Sequence, residues 1–174
     1  TARLQLSNMK GRTVNMKRIF SALCIIIALA FLLGSCGYND YRSKISKALG
    51  IDIPSGAPMK SIDTHGGFNG DGATWVSVGF TSGKNPIEQI KNNSDWKQLP
   101  LDEVAEFLAH DLKIQLDNGE ASLMPDVENG YYIVIDRHSQ KNENDDILGR
   151  ASYNFTIAIY ETDANILYYC EFDT

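Results

Sequence analysis

The clearest hydrophobic pattern lies near the C-terminus, where Tyr153, Phe155, Ile157 and Ile159 alternate with Ser152, Asn154 and Thr156. A period of two is what a strand requires, because successive side chains point to opposite faces. Thr162-Asp163-Ala164-Asn165 supplies turn chemistry before a second apolar run over 166–172, so the two runs predict a hairpin. Residues 131–136 are apolar at both parities, as in a central strand. Farther upstream, Val76, Val78 and Phe80 alternate with Ser77, Gly79 and Thr81. Weaker alternation over 59–65 joins that run through a glycine cluster, which predicts a second hairpin with a long loop.

Helical spacing occurs elsewhere. Tyr38, Tyr41, Ile45, Ala48 and Leu49 recur at intervals of three and four, and Gly50 offers a stop, predicting about three turns of helix. Asn85-Pro86 reads as a helix start, with Ile87 and Ile90 as the inner edge and Asn92-Asn93-Ser94 as the end. Pro100 opens another, whose apolar face is Leu101, Val104, Ala105 and Leu108, with Asp102, Glu103 and Glu106 near its positive end. Leu112, Ile114 and Leu116 alternate like a strand directly after this helix, leaving their period ambiguous. The order of helix, strand pair, two helices and three strands predicts an α+β fold. The expected architecture is a mostly antiparallel sheet of about five strands with two to three helices on one face.

The first 36 residues follow another logic. Lys17 and Arg18 come after Met16, residues 19–33 are almost wholly apolar, and the run ends in Leu33-Gly34-Ser35-Cys36. About 20 apolar residues are needed to span a bilayer, so this stretch is short for an anchor. Its ending resembles the lipobox of bacterial lipoprotein signal peptides, and the chain is similar in kind to small uncharacterised bacterial lipoproteins. The resemblance covers residues 16–36 and implies cleavage before Cys36, acylation of that cysteine, and retention on the extracytoplasmic side of the cell-envelope membrane. Residues 1–15 carry no apolar face and read as an overcalled start, leaving 36–174 as one α+β domain. Beyond the leader the residues resemble no family of known activity.

Removing the leader changes the charge. All five of Arg3, Lys10, Arg12, Lys17 and Arg18 lie in it and no acid does, so 36–174 keeps eleven of 16 basic residues against all 22 acidic ones, a formal −11. Such an excess opposes binding to nucleic acid and favours a protein partner with a basic face. Cys24 falls in the leader and Cys36 is the lipid attachment residue that the resemblance implies, so only Cys170 remains and no disulfide is expected within the domain.

Candidate chemistry is sparse. Gly66, Gly67, Gly70 and Gly72 lack the Gly-Lys-Ser/Thr of a phosphate loop and the offsets of a dinucleotide loop, so they read as a turn. "GGFNGDGAT" half-resembles one calcium-binding β-roll repeat, but such rolls need stacked copies. Asp63 with His65, and Asp136 with His138, are each two apart and share a strand face. If their strands were neighbours, these four and nearby Asp71 would suit a divalent metal that activates water. His110, four residues after Glu106, reads as an exposed helical ion pair, and Cys170 shares a parity with Ile166, Tyr168 and Phe172 and reads as a buried thiol. Two functions follow as expectations: a non-catalytic, membrane-anchored binding or accessory domain without cofactor, or a metal-dependent envelope hydrolase using Asp63, His65, Asp136 and His138.

Overall fold

A computed structural model describes residues 36–66, 70–81, 83–116, 119–138 and 146–174, the side chains of 36–40 apart. The leader, Gly67 and most of the polar loop after His138 lie outside them, and so does the side chain of Cys36. The chain divides into two units, 1–41 and 42–174, and of the first only residues 36–41 are among the described ones.

Helix α1 (Cys36–Leu49) ends at Gly50, whose φ of 66° is the left-handed stop that glycine supplies at least cost. An extended connection leads to β1 (Met59–Asp63) and β2 (Gly72–Gly79), the expected antiparallel hairpin. Helix α2 (Ile87–Lys91) follows with Pro86 itself at the cap and no side-chain capping bond, so Asn85 does not take the capping role its position suggested. A two-residue strand β3 (Lys97–Gln98) precedes α3 (Glu103–Glu106), which starts three residues beyond Pro100 because the Asp102 side chain caps it, accepting from the Ala105 N–H at 2.9 Å. This helix runs on as a π-helical turn, Phe107–Asp111.

The ambiguous stretch after it is a strand, β4 (Lys113–Leu116), paired with β5 (Gly119–Ser122) in a separate two-stranded ribbon. Strands β6 (Gly130–Asp136), β7 (Asn154–Glu161) and β8 (Ile166–Asp173) complete the main sheet. Its order is β1-β2-β8-β7-β6-β3, antiparallel at every described pairing. The α+β class and the two hairpins are as the sequence predicts, with β3 and β5 as added short strands.

The helices do not form a single layer. On one face of the sheet Ala73, Phe155, Ile157, Ile159, Cys170 and Phe172 pack with Ala105, Leu108 and Ala109 of α3 and its π turn, and with Leu123 and Met124 after β5. By register, the neighbours at the other parity, Val76, Ala158, Tyr160, Leu167 and Tyr169, point to the opposite face and are buried too. That face meets α1. Lys44 reaches Glu171 at 2.5 Å, and the Trp96 indole N–H donates to the Leu49 carbonyl at 3.1 Å. The expectation of helices on one face is therefore corrected to a sheet between two layers. The physical signature is in β7, where residues 155–160 are buried without a break.

Candidate binding surface

Strand β1 is an edge of the six-stranded sheet, and from Lys60 to Asp63 its residues are exposed. Ile62 pairs with Trp75, and Lys60 with Ser77, so all four side chains share the face that carries α3. Trp75 donates its indole N–H to the Leu123 carbonyl at 2.8 Å. The Met124 N–H donates to the Ala109 carbonyl at 3.1 Å, and together these bonds lay the segment after β5 across the sheet. Between that segment and the hairpin lies a pocket of about 220 Å³, whose walls include Ile62, Trp75, Leu123, Met124 and Tyr168, with Lys60 at its rim. Ile62 remains 64% exposed and is the only exposed large hydrophobic among the described residues. A wider, more polar cleft of about 680 Å³ runs between the end of α1 and β6, past Lys47, Asn93, Lys97 and Asp136. The smaller pocket has the better claim to a ligand, because apolar surface removed from water drives association.

The residues singled out for metal binding sit at one end of the same sheet, but not together. His65 lies just past β1, clasped between Asp63 (Nδ1 to Oδ1, 2.7 Å) and Asp173 (Nε2 to Oδ2, 3.3 Å). The other Asp173 oxygen accepts from Arg137 at 3.0 Å, and Arg137 also donates to the carbonyls of Phe155 and Phe172. Asp136 receives both arms of the Arg150 guanidinium, at 3.0 and 2.9 Å, and accepts the His138 backbone N–H at 3.0 Å. Asp71 lies in the loop before β2, near Asp173 on another pocket wall.

Between β1 and β6 stand β2, β8 and β7, so the two Asp-His pairs are separated by four strand spacings, roughly 19 Å at about 4.8 Å each. Asp63 shares a row with Thr74, Glu171, Thr156 and Ile135, whereas Asp136 pairs with Phe155, which places the two carboxylates on opposite faces. A single ion cannot gather both pairs across that distance. Among the described residues no group of three or more His, Cys, Asp and Glu side chains is arranged to hold a metal. What ties this end of the sheet together is Asp173 and Arg137, whose side chains bridge strands.

Cys170 is buried as its sequence context suggested, and His110 makes the expected pair but is half-buried instead of exposed. His110 pairs with Glu106 at 2.9 Å and lies 3.4 Å from Asp126. Cys170 is a free, fully buried thiol, and burial, with the charge of Glu171 added, pushes its pKa far up. A thiol held protonated and out of solvent is a poor nucleophile.

Sequence reading missed the row Thr74–Glu171–Thr156, the three buried polar residues identified in the described chain. Its signal was a glutamate at an inward parity in an otherwise apolar strand. Glu171 is paired there with Lys44 from α1. Beside it the Tyr169 hydroxyl is buried near Glu171 and Thr156 without a hydrogen bond of full geometry among the described residues, and burial raises its pKa well above the usual phenol range, with the Glu171 charge adding to the shift.

Among the described residues no helix is long and apolar enough to cross a membrane. No protein-family model matches the chain, and no curated protein or solved structure shows significant similarity to it.

Proposed function

We propose that this chain is the precursor of a lipid-anchored, non-catalytic binding domain on the extracytoplasmic side of a bacterial membrane, and that it binds a protein partner along β1. The observation that carries the binding half is Ile62, left in water beside an apolar pocket of about 220 Å³. Fully burying a side chain of this size contributes about 1.5–3 kcal/mol, and at 64% exposure folding leaves about two thirds of that gain for a partner to collect. The anchoring half rests on Lys17-Arg18, the apolar run and Leu33-Gly34-Ser35-Cys36 in that order. Two acyl chains hold a protein on a bilayer stably, where one holds it weakly. The formal −11 of 36–174 favours a partner whose contact face is basic.

Two measurements test the two halves separately. In cells fed a palmitate analogue the wild-type chain takes up label and Cys36→Ser does not; equal labelling of both sinks the anchor. A photo-crosslinking side chain at position 62 is expected to capture a partner that the same group at Lys84 does not, and Ile62→Asp in an otherwise wild-type chain to abolish co-purification of that partner without lowering the melting temperature. Equal capture at both positions removes β1 as the binding surface.

A further inference from the structure

We infer that the occupant of this surface is an extended, basic segment of a partner polypeptide, which docks beside β1 as a seventh strand and sets one apolar side chain into the pocket next to Ile62. The inference rests on the binding reading above and specifies its ligand.

The backbone register supports a strand in particular. Gly79 donates its N–H to the Pro58 carbonyl, and Thr64 donates to Ala73, so 58/79 and 64/73 are hydrogen-bonded pairs of the hairpin. In an antiparallel ladder such pairs alternate with pairs whose N–H and C=O groups point outward. Lys60 and Ile62 therefore turn their backbone groups toward β2, while Met59 and Ser61 present theirs to the open edge. Among the described residues no strand pairs with that edge. Donors and acceptors repeated at every second residue are met together by one ligand geometry, another extended chain.

Side-chain placement points the same way. A strand added beside β1 continues the sheet, so its residue next to Ile62 projects on the face of Trp75, over the pocket walls of Leu123, Met124 and Tyr168. The opposite edge offers much less: β3 has two residues, and Leu99-Pro100 follows at once.

Charge selects between a foreign segment and a second copy of this chain. Residues 42–174 hold eleven basic and 21 acidic side chains, a formal −10. Pairing two copies edge to edge brings like charge to like charge, whereas a basic segment is attracted over the same approach.

The test uses the full chain in detergent, titrated by calorimetry with the peptide acetyl-Lys-Val-Lys-Phe-Lys-Val-amide, with its all-glutamate counterpart, and with a version N-methylated at alternate backbone nitrogens. The basic peptide is expected to bind and to protect the Ser61 amide from hydrogen exchange. Losing one or two backbone hydrogen bonds corresponds to about tenfold in affinity, so N-methylation, and separately Ser61→Pro, are each expected to weaken binding by about that factor. Ile62→Asp and the glutamate peptide are expected to weaken it at least as much. Ser61 makes no ladder bond to β2 through its own N–H, so Ser61→Pro spares the fold; if that variant nevertheless fails to fold, the N-methylated peptide decides.

Binding that tolerates N-methylation but not Ile62→Asp overturns the strand while sparing the binding surface. Binding indifferent to both changes overturns the surface as well. No binding of the basic peptide overturns the inference, and a dimer broken by Ser61→Pro in its place assigns the edge to a second copy.

Discussion

At the scale of single residues, two positions turn packing into measurable energies. The Tyr169 hydroxyl is buried beside Glu171 and Thr156 but makes no hydrogen bond of full geometry with the described residues, and burial of an incompletely paired polar group is a cost the folded state carries. Tyr169→Phe is therefore expected to be neutral or stabilising by up to about 1 kcal/mol in urea denaturation. A loss above that size would show that the hydroxyl has a partner. Gly72 is the second position. A Cβ there would stand 2.7 Å from the backbone N and Cα of His65, where the chain leaving β1 crosses the start of β2. Gly72→Ala must push that crossing apart, at an expected cost of about 1–3 kcal/mol in the same assay. The glycine cluster thus has at least one member set by close approach of two backbones, which a single sequence does not distinguish from a glycine chosen for its turn.

At the scale of elements, α3 shows how a cap fixes a start. Asp102 accepts from the Ala105 N–H, pairs with Lys97 at 2.7 Å, and its own N–H donates to the Tyr132 hydroxyl. The Lys97 hydrogen bond first, then that of Ala105, hold the carboxyl below its ordinary value of 3.8. A depressed carboxyl contributes stability that is present above its unfolded pKa and lost as pH falls through the folded one. The melting temperature of the wild type is therefore expected to decline on acidification below about pH 4, with part of that decline absent in Asp102→Asn, which keeps a capping oxygen but cannot titrate. Asp102→Ala loses the cap at every pH, about 1 kcal/mol. Identical acid profiles for wild type and Asp102→Asn would remove the carboxylate from this role. The β2 and β7 strands were legible because each has a long run of one period, and β8 because an apolar run follows the turn residues 162–165. Strand β3 has two residues and β5 carries Gly-Glu-Ala-Ser, so neither shows a period, and β3 in addition pairs with β6, a partner distant in sequence.

At the scale of the molecule, β8 lies inside the sheet between two helical layers, with Cys170 in it as the free buried thiol. In a chain with Cys24 and Cys36 replaced by serine, labelling of Cys170 is expected to proceed only through global unfolding, so its rate should rise with urea along the slope of equilibrium denaturation. A rate independent of urea would reveal a local opening of this sheet instead. The amino-acid sequence by itself determined the α+β class, both long hairpins and the buried state of Cys170, because period, turn chemistry and parity are local. Only the tertiary structure decided that helices cover both faces, that Asp63 and Asp136 stand four strands apart, and that Ile62 borders a pocket with Leu123 and Met124. Strand order is set by which apolar faces can be buried at once, a sum over the whole chain that no local window contains.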